Sequence, residues 1–278
     1  MPSRVRRVET PNDEYQLVHA LLRNRRQRAR QGRFVVEGVR PLDQAFAHGW
    51  AIDALWYAAG RPLSTWARSR LESGRAAAHV QTTPDLLAAL GQKDEPSELL
   101  AVVAAPRDDL ARLPHAGDAL LVAFDRPVSP GNLGSLIRSS AALGAHGVVV
   151  TGHAADVYDP QAIRASMGAV FALPVVREGS MDAIRAWLEE LRADQPDLRV
   201  VGSSAHAATP LTDVDLTRPT LLAVGNETKG LSQAWREASD ELVTIPMTPG
   251  ADSLNAAAAG SILLYEASRQ RRARSAGA

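Results

Sequence analysis

A chain of 278 residues, 45% of them apolar, has enough material for a well-buried core in one large domain or two of ordinary size. It has no cysteine, which excludes a disulfide scaffold and a thiolate metal site. No stretch is apolar enough to span a bilayer and the arginine-rich start lacks the apolar core of a signal peptide, so a soluble cytoplasmic protein is expected. Its 31 basic side chains equal its 31 acidic ones, so a nucleic-acid partner would have to be held by local clustering rather than by an overall field.

Such a cluster stands at the start. Arg4, Arg6, Arg7, Arg23, Arg25, Arg26, Arg28 and Arg30 are opposed only by Glu9, Asp13 and Glu14. This is the footprint expected of phosphate contact, with a solvated charged face as the alternative. Leu17, Leu21 and Leu22 recur at helical spacing, which predicts one helix over 13–30, ended by Gly32. Strands are expected at 34–36, 52–56, 79–81 and 99–105, and helices at 41–48, 64–73 and 84–90. That is a compact α/β unit of about 100 residues, a usual domain size. Residues 106–117 are polar, contain two prolines and follow no period, and form the best linker candidate.

Beyond the linker the alternation is regular. Strands fit 120–124, 148–150, 175–176, 200–202, 221–224 and 242–245; helices fit 133–143, 161–167, 181–192, 233–238 and 256–270. Strand–helix alternation predicts a parallel sheet covered on both faces.

Two constellations carry chemistry. In the first, the strand ending at Phe124 runs into Asp125-Arg126-Pro127-Val128-Ser129-Pro130, then Gly131-Asn132-Leu133-Gly134. Asn132 is placed as the N-cap, with Arg138 nearly two turns into the helix; an ordinary turn with a surface arginine would look the same. Gly131 and Gly134 lack the spacing of a dinucleotide fingerprint, which argues against a nucleotide-dependent oxidoreductase. In the second, the apolar run 221–224 breaks at Gly225-Asn226-Glu227 and the run 242–245 breaks at Pro246-Met247. A polar turn, 248–253, then closes on Leu254-Asn255. Two such strand ends make a crevice at the carboxyl edge of a parallel sheet. It offers main-chain groups, amides and one carboxylate, which suits a neutral or zwitterionic cofactor. Glu227 as a loop carboxylate and Asn255 as a helix cap is the bland alternative.

Taken together and in order, these pieces resemble the SPOUT superfamily, and within it the SpoU/TrmH family of RNA ribose 2′-O-methyltransferases. The first motif is carried by Pro130, Gly131, Asn132, Gly134 and Arg138, the second by Gly225, Glu227, Gly230 and Leu231. The third is carried by Ile245, Pro246, Met247, Ser253, Leu254 and Asn255. Ser139 stands where threonine is common. The stretches FVVEGVRP, HAADVYDP and LLAVGNETKGLS are similar to the branch that gives avilamycin resistance by modifying a large-subunit rRNA uridine.

The resemblance implies an α/β fold in two domains. Residues 1–107 would be an L30-like RNA substrate-binding domain, 108–117 a linker, and 118–278 a catalytic domain with a deep trefoil knot. It implies S-adenosylmethionine as cofactor, held by Gly225, Asn226, Ile245, Met247, Ser253 and Leu254, and no metal. It implies Asn132, Arg138, Glu227 and Asn255 as catalytic residues and a homodimer through the knotted domain. Ile262 and Tyr265 mark a packing face for the dimer on the last helix. Because a guanidinium keeps its proton, Arg138 is expected to bind phosphate and stabilise developing alkoxide charge, with Glu227 a candidate proton acceptor through water. The substrate expected is a 23S rRNA uridine, with ribosome-targeting antibiotic resistance a consequence. A tRNA guanosine 2′-O-methyltransferase and a catalytically inactive RNA-binding relative are the alternatives.

Overall fold

The computed structural model describes residues 4–91, 97–114, 117–248 and 253–276. Positions 249–252 of the polar turn, 115–116 of the expected linker and the side chain of Arg4 lie outside the described residues. In chain order the first stretch forms β1 (Arg4–Val8), α1 (Asp13–Arg23), α2 (Arg25–Gln31), β2 (Arg33–Glu37), α3 (Val39–Ala47) and β3 (Ile52–Ala58). It continues with α4 (Thr65–Glu72), β4 (Ala76–Thr82), α5 (Pro84–Leu90) and β5 (Leu99–Ala104). Then come β6 (Leu120–Asp125), α6 (Pro130–Ala142), β7 (Gly147–Thr151), α7 (Pro160–Ser166), α8 (Ala169–Ala172), β8 (Val175–Glu178), α9 (Met181–Asp194) and β9 (Arg199–Ser203). The chain closes with β10 (Thr209–Pro210), β11 (Thr220–Val224), α10 (Gln233–Ala238), β12 (Glu241–Thr244) and α11 (Ala256–Ala276). Two compact units result: Met1–Arg107 with Tyr158–Ala172, and Asp108–Val157 with Leu173–Ala278.

The first unit is a five-stranded sheet in the order β1-β4-β3-β5-β2, with β5 antiparallel to both its neighbours. On one face Val35, Trp56, Val80 and Leu100 meet Val18, Leu21 and Leu22 of α1 and Leu87 and Leu90 of α5. On Phe34 stack Tyr158, at 4.4 Å between ring centroids, and Phe171, at 6.2 Å. The Trp50 indole donates to the Phe171 carbonyl at 3.0 Å. These aromatics explain why a segment remote in sequence, 158–172, belongs to this unit.

Three features here differ from the sequence reading. The helix expected over 13–30 is broken at Asn24, whose backbone is extended and whose side-chain oxygen accepts from the Arg26 and Gln27 N–H groups. A short polar residue can satisfy a new helix start, so the chain turns there without leaving donors unpaired. The arginine-rich opening also supplies an edge strand, β1, paired in parallel with β4. Finally, Arg28 is not part of a phosphate-binding face. It is 5% exposed, donates to the carbonyls of Leu21 and Leu22, and pairs with Asp159 at 3.2 Å.

The second unit is a seven-stranded sheet in the order β10-β12-β9-β11-β6-β7-β8, each pairing parallel. Apolar residues alternate across it, as strand geometry requires. Leu121, Ala123, Val149, Leu221 and Ala223 face Ile184, Trp187 and Leu191 of α9 and Trp235 of α10. Leu113, in the stretch whose composition read as a linker, is buried in this same cluster. The opposite face carries α6 and α11. A Cβ on Gly260 of α11 would lie 2.5 Å from Leu136 Cδ1 and 3.2 Å from Val224 Cγ2, so a larger residue there would have to displace the Leu136 side chain. Because β12, β9 and β11 are parallel neighbours, their carboxyl ends open at one edge. Among the described residues no helix is long and apolar enough to cross a membrane.

Arg28→Ala is expected to cost about 2–4 kcal/mol of stability, through the carbonyls and the carboxylate left behind. Arg26→Ala, at an exposed site, should stay within about 0.5 kcal/mol. Urea unfolding followed by circular dichroism distinguishes the two.

Candidate active site

The loop leaving β11 is tied down on all sides. A Cβ on Gly225 would lie 2.2 Å from the Leu231 nitrogen and 2.3 Å from the Gly230 carbonyl carbon, so backbone packs on backbone there. Asn226 and Gly230 exchange main-chain hydrogen bonds of 3.1 and 3.0 Å. The Asn226 side-chain oxygen accepts from the N–H groups of Thr228 and Lys229, and its amide donates to the Arg126 carbonyl at 2.6 Å. Gly230 takes φ +64°, a conformation that costs other residues strain.

Below that loop, at the end of β6, lies the buried Asp125. Its carboxylate accepts from the Ser232 N–H at 2.8 Å, the Thr151 hydroxyl at 3.3 Å and the Arg126 guanidinium at 3.1 Å. Arg126 donates onward to the Gly230 carbonyl at 3.2 Å, and the Trp235 indole donates to Thr151 Oγ1 at 2.9 Å. The ends of β6 and β7, the loop at 225–231 and the start of α10 thus share one hydrogen-bonded cluster.

Above it, three of the four side chains expected to be catalytic form a single chain. Glu227 accepts from Asn132 Nδ2 at 2.9 Å, and from the N–H groups of Val128 and Ser129 at 3.1 and 3.2 Å. Asn132 Oδ1 accepts from Asn255 Nδ2 at 3.0 Å. Asn255 Oδ1 in turn accepts from the N–H groups of Ala257 and Ala258, capping α11. Asn132 is not the N-cap of α6; Ser129 is, its hydroxyl accepting from the Asn132 N–H at 3.2 Å while Pro130 opens the helix. That frees the Asn132 amide to bridge Glu227 and Asn255. Partial burial pushes the Glu227 carboxyl up, but the Asn132 amide and the Val128 and Ser129 N–H groups outweigh it and leave its pKa lowered.

Arg138 is not brought into this chain. It is exposed, and among the described residues its side chain makes no hydrogen bond or ion pair. Six residues on from Asn132, it stands about 120° away from it around the axis of α6.

A cavity of about 330 Å³ opens at the carboxyl ends of β9, β11 and β12. All six residues expected to hold a cofactor line it: Gly225, Asn226, Ile245, Met247, Ser253 and Leu254. Glu227 lines it too. Sequence reasoning missed the contribution of β9, where Ser203, Ser204 and His206 form another wall, and missed Arg236 of α10. The break Gly202-Ser203-Ser204 after an apolar run carries the same signal as Gly225, but only the sheet order makes β9 the central wall. A wider, open depression of about 990 Å³, lined by Asp118, Asp194, Arg218 and Arg271, lies at the opposite edge of this sheet. Parallel sheets bind ligands at the carboxyl edge, so the smaller cavity beside the Glu227 chain is the candidate site.

A strand-end cavity roofed by main-chain loops, beside a carboxylate–amide chain, on an α/β unit joined to a smaller mixed-sheet unit, defines the class. The sequence matches the SpoU rRNA Methylase family over residues 119–265 and the SpoU L30e-like domain over 12–101. The chain belongs to the SpoU rRNA methylase family. It is 51% identical, over 96% of its own length and 93% of the relative's, to a 23S rRNA (uridine(2479)-2′-O)-methyltransferase of Streptomyces viridochromogenes. The crystal structure of the SpoU methyltransferase AviRb from that organism, in complex with AdoMet, superposes with a TM-score of 0.90 at 51% identity, covering 94% of this chain and 98% of that one. An AdoMet-bound rRNA methyltransferase from Sinorhizobium meliloti gives a TM-score of 0.84 at 27% identity, covering 95% and 98%.

Gly225→Ala should collapse cofactor affinity by at least about tenfold while the rest of the sheet stays folded, because overpacking displaces a loop rather than the core. Calorimetry with S-adenosylhomocysteine, alongside circular dichroism, reads both. Glu227 makes a second prediction. A carboxyl whose pKa is depressed by folding adds stability fully present above the ordinary glutamate pKa and lost as pH falls through the depressed value. Glu227→Gln should therefore flatten the acid limb of a stability–pH curve and leave the neutral region's pH dependence unchanged.

Proposed function

We propose that this chain is an S-adenosylmethionine-dependent RNA ribose 2′-O-methyltransferase acting, as a cytoplasmic homodimer, on a uridine of large-subunit rRNA. The observation that carries the reading is the Glu227–Asn132–Asn255 chain set against the strand-end cavity. The cavity suits the cofactor: apolar walls from Val224, Leu231, Val243 and Ile245 for a flat adenine, and main-chain groups around Gly225 for its polar edge. When bound, S-adenosylmethionine supplies an electrophilic methyl group on a sulfonium.

The protein's own groups then align and polarise the acceptor. Glu227, held ionised by its donors, fixes the Asn132 amide; Asn132 and Asn255 present their remaining N–H groups to the ribose. With a lowered pKa, Glu227 is a weak proton acceptor and chiefly a positioning group. Orientation of this kind can remove much of the barrier to a displacement that needs no covalent intermediate. Arg138 meets the phosphate and the negative charge developing on the ribose oxygen.

The exposure of Arg138 and its displacement from Asn132 support a site completed by a second copy of the chain. Ile262 and Tyr265 of α11 are exposed apolar side chains on the helix that packs against α6, and they suit a face that dimerisation would bury. The order β12-β9-β11, with α11 returning against β11, supports the knotted path expected of the family. The extensive similarity to a 23S rRNA uridine methyltransferase, which extends through the amino-terminal unit, favours rRNA over tRNA.

Arg138→Ala and Glu227→Ala should each abolish transfer. Co-folded as a mixture they should recover about one quarter of wild-type activity, because half of the random dimers carry one intact composite site. No recovery, or a monomer in sedimentation at micromolar concentration, would refute the shared site. Labelled donor offered in parallel to deproteinised 23S rRNA, assembled large subunits and bulk tRNA tests the substrate. Labelling of tRNA alone would overturn the rRNA assignment.

A further inference from the structure

The strand-end cavity of the second unit is flanked by different chemistry on its two sides. Glu227 lines it and continues through Asn132 and Asn255 to α6 and α11. Arg236 lines it from α10, which packs on the opposite face of the sheet, and His206 follows β9. Trp235, the neighbour of Arg236, is fully buried against α9 and fixes the rotation of α10. Arg236 is half-buried, and its Nε donates to the Leu231 carbonyl at 3.3 Å, which tethers the guanidinium to the loop after β11. Among the described residues that is the only hydrogen bond of this side chain, and it forms no ion pair. A guanidinium lining the cavity thus keeps its planar fork of terminal donors unused.

That fork matches a carboxylate, which takes two parallel N–H bonds from arginine. The other cations at the cavity suit an anion less well. Lys229 and His206 are exposed, so a pair made there is screened by water, whereas Arg236 is partly withdrawn from it. The Glu227 side repels an anion, because a like charge stands there. Resting on the methyltransferase reading above, we propose that Arg236 receives the α-carboxylate of S-adenosylmethionine, the one anionic group that the cofactor carries. Charge complementarity then runs across the cavity, because Glu227 on the other side suits the cationic sulfonium. Arg236 is thereby the residue that distinguishes the complete cofactor from adenosine derivatives without its carboxylate.

The test is calorimetry of the full chain with two ligands that differ only in the group at issue. One is S-adenosylhomocysteine; the other is its decarboxylated analogue, S-adenosyl-3-thiopropylamine. The wild-type chain should bind the first about thirtyfold more tightly, as befits a charge-assisted hydrogen-bonded pair. Arg236→Gln should lose about thirtyfold in affinity for S-adenosylhomocysteine and keep its affinity for the analogue within about twofold, so that the preference disappears. Arg236→Lys, which retains the charge without the planar fork, should lose only about threefold. His206→Gln and Lys229→Gln should keep the wild-type preference. The analogue reports on the fold of the cavity in every variant, so an equal loss of both ligands in Arg236→Gln would make Arg236 a structural residue and overturn the proposal. A wild-type chain without the preference, or a preference that vanishes with His206→Gln or Lys229→Gln instead, would overturn it as well. A wild-type chain that binds neither ligand would overturn the methyltransferase reading itself, a result distinct from each of these.

Discussion

The second unit depends on the buried carboxylate of Asp125. Removed from water, it is held by the Ser232 N–H, the Thr151 hydroxyl and the Arg126 guanidinium, and each of these belongs to a different segment. Breaking one side of such a buried ionic cluster typically costs about 3–5 kcal/mol, far more than an exposed pair. Arg126 adopts φ +53°, unusual for a side chain of its size, and carries the constraint on to Gly230. The loop bearing Glu227 is therefore set by β6 and β7 as much as by its own residues.

The site residues double as structural caps. Glu227 accepts from two N–H groups at the start of α6, and Asn255 caps α11, so the bland reading of these side chains holds and the catalytic roles proposed for them would be additional to it. Their double duty has a chemical consequence. Donors converging on Glu227 keep it ionised and make it a poor base, and a guanidinium never becomes one. Neither of the two charged candidates is a strong proton acceptor. What the site offers is alignment and fixed dipoles, which do not have to reorganise during reaction.

Arginine supplies the cations for three different purposes here, and sequence position does not separate them. Arg28 is folded into the amino-terminal unit. Arg271 donates to the carbonyls of Leu216, Asp118, Ala119 and Arg218, and burial pushes its pKa down. Arg23, Arg26 and Arg138 remain exposed and available to phosphate. A run of charges in the sequence thus overstates the charge that a partner can meet.

Much of the fold and of the cofactor cavity was legible because its signals are local. Apolar runs of four to six residues that stop at Gly225 or Pro246 are strand ends, and strand–helix alternation dictates a parallel sheet. The crevice between the two strand ends could be placed on that basis, while the resemblance to the SpoU/TrmH family singled out Gly225, Asn226, Ile245, Met247, Ser253 and Leu254 in it. What stayed hidden depends on contacts between distant segments. The wall from Ser203 to His206 exists because β9 is inserted between β11 and β12. Leu113 is buried because a polar stretch happens to cross an apolar face, and 158–172 joins the first unit through stacking on Phe34. The sequence by itself determined the elements, the strand-end loops and the residue types of the site, because these follow from periodicity and turn chemistry within a few residues. Only the tertiary structure decided which loops meet, that Asn132 bridges Glu227 and Asn255, and that Arg138 points away, because those depend on sheet order and helix rotation, which no local pattern encodes.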